Sequence, residues 1–264
     1  PLAIAAAELF AQAASLAEEP VLCVVEAKGL TLPTSAITTL RTKNAPNVCV
    51  VAGNDASIAT LSGNDLTSIG TFLGACSKAK VNENVGYVRK FNLLKPLKYV
   101  AMKLAGVAYQ TLTREVLDSL DDLGFIFPRK ITGSSGVYFN DSHTATELTS
   151  DYSNAENNRV MNKARRQVRS RLLPNIKAPL FVDATTGQLE PATCLIFEED
   201  AGEALQAMKA AGEISDYAVF VDPAQDVLAT SIVELEIEVL PTGTARAINY
   251  KIGFVKILTT TNQN

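Results

Sequence analysis

The sequence has no tryptophan and a single histidine, His143. One imidazole cannot form a multi-histidine metal site, and it leaves one candidate base for a serine or cysteine nucleophile. The four cysteines, Cys23, Cys49, Cys76 and Cys194, never fall at C-x-x-C spacing, so neither a zinc site nor a thioredoxin-like pair is indicated. Cys23 and Cys49 lie inside the apolar runs VLCVVEA and NVCVVAG and read as buried, reduced thiols, consistent with a reducing compartment. The Gly-x-Gly-x-x-Gly and Gly-Lys-Ser/Thr phosphate patterns are both missing. No run of ~18 apolar residues offers a membrane span. The opening 1–20 carries Glu8, Glu18 and Glu19 and lacks a basic n-region, so no signal peptide is expected. The first residue, Pro1, fits either removal of an initiator Met or a trimmed end.

What is present is ordinary for a folded protein. The 264 residues are 47% hydrophobic and 20% charged, enough for one large or two smaller domains with a substantial core. Bulk disorder is excluded. The net charge of -4 argues against a surface devoted to nucleic acid.

Residues 2–19 are Ala-rich with apolar positions at helical spacing, and Pro20 stops them. Strands are expected at 21–27 and 47–52, with a short helix at 35–44 between them. That order suggests a parallel pair with a crossover. A helix is expected over 63–80, a third strand at 86–91, helices at 95–104 and 114–123, and a short strand at 125–127. The Gly-, Ser-, Thr- and Asn-rich stretch 131–158 reads as an irregular surface connection around a strand at 136–140, and the domain boundary is placed near it. A basic helix follows at 158–173. Residues 191–197 are either extended or the start of the next helix, which covers 202–211; a strand is expected at 217–221.

The C-terminus patterns as a β-hairpin. Over 232–239, Val233, Leu235, Ile237 and Val239 point one way and Glu234, Glu236 and Glu238 the other. Over 247–257 the apolar set is Ile248, Tyr250, Ile252 and Phe254. Pairing Val239 with Arg246 across LPTGTA sets Leu235 opposite Tyr250, Val233 opposite Ile252 and Glu234 opposite Lys251. In that register Tyr250→Asp buries an unpaired charge and destabilises the fold by several kcal/mol.

The strongest charge feature is 157–174, where Arg159, Lys163, Arg165, Arg166, Arg169 and Arg171 occur with no acid between them. Val160, Met161, Ala164, Val168 and Leu172 form one arc of the helix and the cations cover most of the rest. No aromatic residue interleaves the arginines, which disfavours nucleic acid. A solvated helix face and contact with an acidic neighbour remain. Charge separation favours the second: residues 1–130 hold 13 Lys and Arg against 11 Asp and Glu, and residues 131–264 hold 11 against 17. Separate basic and acidic faces let copies bind head to tail. The expected subunit interface is therefore Arg159, Lys163, Arg165, Arg166 and Arg169 against Glu234, Glu236 and Glu238, or against 198–200.

The remaining motifs are plainer. VVAGNDAS at 50–57 reads as a βα turn, and GSSG at 133–136 as a turn. Asp121 and Asp122 read as a solvated pair, and Glu198, Glu199 and Asp200 as acidic capping at a helix start. His143, in DSHTATE, reads as exposed. No catalytic, cofactor-binding or metal-ligating residue is assigned, and no cofactor is expected.

From Val137 to Val255 the chain resembles the C-terminal conserved region of the contractile tail sheath family. The likeness rests on VYFNDSHTATELTSDYSNAENNRVMNKARRQVRSRLLPNI, then LEPATCLIFEEDAGEALQAMKAAGEISDYAVFVDP, then IVELEIEVLPTGTARAINYKIGFV. It covers somewhat under half of the chain and rests on the order of elements, since sheath proteins carry no catalytic signature. The resemblance implies copies stacked in a helical lattice as a sleeve around an inner tail tube protein, contracting to drive the tube through an envelope. It implies baseplate and terminator proteins as further partners, no nucleic acid and no direct membrane insertion. The expected location is a virion tail or a cytoplasmically assembled injection machine. In that family terminal arms add strands to neighbouring subunits. Here the sequence opens almost directly on an α/β domain, so either helix 2–19 replaces the extended arm, or the arm is missing from these residues, or this is a reduced sheath; the polar tail LTTTNQN is available to order on a neighbour.

The expected fold class is therefore α/β (mixed α+β) in two portions. The first, 1–135, is an α/β domain with crossover helices; the second, 136–264, is sheath-like, with the basic helix and the C-terminal β-hairpin. The expected function is a non-enzymatic structural subunit. The alternatives are a small-molecule or nucleotide-binding α/β enzyme, or another tail or baseplate component.

Overall fold

The computed structural model describes residues 2–55, 68–94, 99 and 101–254. Helix α1 (Leu2–Leu16) leads into strand β1 (Cys23–Glu26). After a single 3-10 turn at Thr34–Ala36, strand β2 (Val48–Val51) pairs with β1 in parallel, Cys23 opposite Val48 and Glu26 opposite Val51. The parallel pair is as expected, and the helix expected at 35–44 shrinks to that turn. Every residue of β2 is buried, because both faces of a parallel strand are covered. The third strand position beside β2 is filled by Ile126, not by 86–91, which forms turns. Ile126 donates its N–H to the Val50 carbonyl at 3.0 Å, and Ala52 donates to Ile126 at 2.7 Å.

Strand β3 (Asn54–Asp55) follows β2 directly and pairs with β4 (Met102–Leu104), which pairs with β5 (Val107–Ala108). The segment 54–55 is thus the edge of a small antiparallel meander, where a βα turn was expected. The C-terminal end of the helix expected at 95–104 is strand; residues 95–98 and 100 lie outside the described residues, as do 63–67 of the helix expected over 63–80. The described part of that helix, α2 (Ile69–Lys78), sets Phe72 edge-on against Phe139, with ring centroids 5.4 Å apart. Helix α3 (Arg114–Asp122) ends at Gly124, whose φ of +92° favours glycine, and a Cβ there would meet Arg41 Nε at 3.2 Å. Strands β6 (Pro128–Arg129) and β7 (Tyr138–Phe139) close the first core.

That core extends past residue 135 to Val137, Phe139, Ala145 and Ala155. Of the stretch 131–158 expected as a surface connection, 132, 133, 135, 147–149 and 151 are exposed, whereas 136–139 and 141–146 are internal. Its polar groups are satisfied locally, as buried backbone requires: Ala145 N–H reaches the Val48 carbonyl at 2.8 Å and Thr144 Oγ1 the Tyr152 carbonyl at 2.5 Å.

The second core is built by helices α4 (Ala155–Leu172) and α5 (Pro191–Ala210) against a ribbon of β8 (Ile214–Phe220) and β9 (Glu236–Pro241), with the short helix α6 (Val227–Thr230) between the strands. Residues 191–197 begin α5, so Glu198, Glu199 and Asp200 lie inside a helix rather than at its start. Val160, Ala164 and Val168 of α4 meet Ala201, Ala204, Leu205 and Met208 of α5, with Ile237 and Val239 of the ribbon packed on them.

The expected hairpin is corrected here. Strand β9 pairs antiparallel with β8, Tyr217 opposite Val239 and Phe220 opposite Glu236, and not with 247–254; residues 255–257 of the expected partner and the tail LTTTNQN lie outside the described residues. Its faces are as read: Val233, Leu235, Ile237 and Val239 are half-buried toward the helices, and Glu234, Glu236 and Glu238 are exposed. Strand β8 reaches the pairing edge first because it follows α5 through a tight turn and is seated by Ile214 in the helix core. Periodicity fixes which face is buried; it does not identify the partner strand.

Candidate assembly interface

Beyond β9 the chain leaves the body. Among the described residues, 243–254 have no strand partner. Ile248, Tyr250, Ile252 and Phe254 are exposed, Tyr250 at 78% and Ile252 at 87%. The expected pairing of Val239 with Arg246 is replaced by two other contacts. Arg246 Nε donates to Asp141 Oδ2 at 2.8 Å and Nη2 to Glu156 Oε1 at 2.6 Å. A row of alternating large apolar side chains, outside any strand or helix, thus stands in solvent. Beside it is a ribbon of only two strands, whose outer edges carry no further strand among the described residues. Two strands alone are marginal, and free edges are templates for pairing.

The basic row of α4 is engaged within its own chain. Arg159 Nη2 donates to the Cys76 and Ala79 carbonyls at 2.7 and 3.0 Å, closing the last turn of α2. Lys163 Nζ lies 2.6 Å from Glu213. Arg165 Nη1 donates to Ser15 Oγ at 3.0 Å and Arg166 Nη1 to the Pro20 carbonyl at 2.8 Å. Arg169 lies 3.5 Å from Glu18, and Arg171 lies 3.0 Å from Glu203. Arg165, Arg166 and Arg169 thus gather around the carbonyl end of α1, where cations are favoured by the helix dipole. Arg159 and Lys163 are half-buried, whereas Arg165, Arg166 and Arg169 remain exposed.

Helix α1 is turned so that its one acid faces inward. Glu8 accepts from the Asn47 backbone N–H at 3.0 Å and from Asn47 Nδ2 at 2.8 Å. Its outer face carries Leu2, Leu9, Phe10 and Leu16, all exposed.

His143, expected in solvent, is 6% exposed and its Nε2 lies 2.8 Å from Asp121 Oδ1. Asp121 is thereby no solvated neighbour of Asp122; it also accepts from Asn140 Nδ2 at 2.6 Å. Burial acts to raise the Asp121 carboxyl, and the hydrogen bond and charge of His143, with Asn140 and Arg129, outweigh it, leaving it below its ordinary 3.8. A carboxyl lowered by folding stabilises the protein above its unfolded value and loses that contribution as pH falls through the folded value. Asp121→Asn is accordingly expected to flatten the loss of thermal stability below about pH 4, measured as melting temperature at pH 3 against pH 7. An unchanged acid limb would count against this linkage.

The cysteines carry no reactive signature. All four are free; burial pushes the Cys76 thiol up to about 11 and raises Cys49 well above the ordinary range. Among the described residues no cluster of three His, Cys, Asp or Glu could hold a metal, and no helix is long and apolar enough to cross a membrane.

The residues missed by the sequence reading are Asn84, Asp141, Ser142, Glu156 and Arg246. They meet from four separated positions, since Asp141 and Ser142 are adjacent, and no spacing rule connects them. The nearest signal is Glu156, an acid in the first turn of α4.

Solved structures with this architecture are parts of contractile machines. The anti-feeding prophage baseplate superimposes with a TM-score of 0.62 at 14% identity, over 96% of this chain and 65% of that one. The contracted anti-feeding prophage helical sheath gives 0.60 at 15%, over 91% and 64%. The contracted sheath complex of PVC, an extracellular contractile injection system, gives 0.61 at 12%, over 87% and 63%. The chain spans less than two thirds of each. No protein of curated function matches the sequence. Two family models match in succession, the DUF2586 N-terminal domain over residues 2–143 and the DUF2586 C-terminal domain over 151–259. The chain has the fold of contractile tail sheath proteins, and it belongs to the DUF2586 family.

Proposed function

We propose that this protein is a structural subunit of a contractile sheath, copies of which stack in a helical sleeve around an inner tube and contract to drive it through an envelope. The observation that carries this reading is the unpaired, exposed segment 247–254, with its alternating apolar side chains, following a ribbon of two strands that carries no further strand among the described residues, on a sheath-like fold. Each copy donates that strand to the ribbon of a neighbour. The pairing gives main-chain hydrogen bonds and buries alternate side chains, which links subunits without fixing their relative angle. Donor and acceptor surfaces differ, so the contact is heterologous and propagates instead of closing on a dimer.

The inner tube protein, baseplate and terminator proteins are the remaining partners of such a subunit, in a virion tail or an injection machine. The chain divides into a first portion around the parallel strands and a second around α4, α5 and the ribbon. Between copies, the exposed carboxylates Glu234, Glu236 and Glu238 meet the exposed guanidinium groups of Arg165, Arg166 and Arg169, with Arg159 and Lys163 held to internal partners. Each such pair contributes only ~0.2–1 kcal/mol, but the lattice repeats it at every subunit. Glu234, Glu236 and Glu238 replaced together by Lys are therefore expected to leave the melting temperature within a few degrees and to raise the concentration needed for assembly. Added salt is expected to raise it in wild type.

Negative-stain microscopy of the concentrated protein tests the main reading: tubes or stacked rings are expected. Monodisperse small species at every concentration and salt would overturn it. The likeness to a baseplate component keeps one second reading, a finite ring, which closed rings that never stack would favour.

A further inference from the structure

We propose that Arg246 is the positioning residue for strand donation, fixing where and in which direction residues 247–254 leave the body. This rests on the donated-strand reading above. The fork of Arg246 closes over two carboxylates supplied by different parts of the fold. Asp141, 7% exposed, comes from the loop after β7, and Glu156, 3% exposed, from the first turn of α4. Beneath them Asn84 Nδ2 donates to Asp141 Oδ1 at 2.5 Å and to Glu156 Oε1 at 3.2 Å. The Ser142 N–H donates to Asp141 Oδ1 at 2.7 Å, and Ser142 Oγ donates to Glu156 Oε2. These neutral donors orient the two acids but leave both charges in place. Arg246 is the cation paired with both of them. The two acids hold its charge in turn: burial alone would lower the guanidinium, and Asp141 and Glu156 outweigh burial and raise it.

A two-point, charge-assisted grip fixes orientation as well as position, which a lysine ammonium cannot do. Four residues upstream, Asn82 Nδ2 donates to Thr242 Oγ1 at 3.0 Å. The chain is thus pinned at 242 and 246, and the exposed strand begins at the next residue. Upstream fixation means that a docking strand has less orientational freedom to lose, so its effective concentration at the neighbour's ribbon is higher.

R246M alone leaves two buried carboxylates without a cation, and it is expected to unfold easily. The diagnostic protein is the full chain with R246M, D141N and E156Q together, which removes the charge from both sides. It is expected to melt close to wild type, to exchange backbone hydrogens faster over 243–248, and to need at least tenfold more protein to assemble. Wild-type assembly of this variant would overturn the proposal. If the triple variant melts early, R246K decides: it keeps the charge and loses the fork, and a several-fold rise in the assembly threshold is expected, whereas an unchanged threshold overturns the proposal. A chain ending at Arg246 separates the two ideas. If it assembles like wild type, strand donation itself is wrong and Arg246 positions nothing. If it fails while the triple variant assembles normally, strand donation stands and the role of Arg246 does not.

Discussion

Replacing Tyr250 and Ile252 together by Asp is expected to leave the isolated chain as stable as wild type and to abolish assembly. Both side chains are exposed in the single chain. Surface changes of this kind usually shift stability by no more than about 0.5 kcal/mol. In a neighbour's ribbon each would be buried, gaining about 1.5–3 kcal/mol. Losing two such contributions weakens each contact by roughly two to four orders of magnitude, before counting the cost of burying two carboxylates. Thermal denaturation of the unassembled protein and sedimentation of the assembled form measure the two effects separately. This reverses the hairpin register, under which Tyr250→Asp would unfold the chain. A large drop in melting temperature would restore the intramolecular pairing and remove the donated strand.

Phe72→Ala is expected to cost about 3–5 kcal/mol in urea denaturation. Phe72 is fully buried on α2, and its ring meets Phe139 edge to face at 5.4 Å with planes at 87°. That contact joins α2 to β7 across the first core, so the substitution leaves a cavity and removes an aromatic pair. Against a total stability of 5–15 kcal/mol, the loss leaves little margin. A cost below 1 kcal/mol would show that the site collapses around the smaller side chain.

Local patterning made part of this architecture legible. Helices α1 and α4 are legible from apolar spacing and the Pro stops that follow them, α3 as a helix at 114–123, and the parallel β1–β2 pair from two short apolar runs with a crossover between them. The alternation over 233–239 gave the buried face of β9 correctly. Its partner was not legible, because 247–254 alternates as β9 does whereas 214–220, ISDYAVF, does not, and the packing of β8 on α5 overrides that pattern. His143 was misread for a related reason. A polar loop sequence usually marks the surface, yet 141–146 is buried, with His143 Nε2 on Asp121 and Ser142 Oγ on Glu156. The basic helix was located correctly from its run of cations. Their local partners, the Ser15 hydroxyl and the Pro20 carbonyl, lie 150 and 146 residues away and leave no trace in local sequence.

The grip of Arg246 also has a consequence for biosynthesis. Arg246 comes 105 positions after Asp141 and 90 after Glu156. At about 5–20 residues per second, a growing chain carries Asp141 for roughly 5–20 s before Arg246 is added. During that interval neither the cation nor the donor strand exists, so nascent chains crowded on one message have nothing with which to thread one another. Arg246 completes its grip only after both of its carboxylate partners, and the elements that carry them, have been made. On the donated-strand proposal, pairing between copies therefore waits until the elements that aim the strand are already in place.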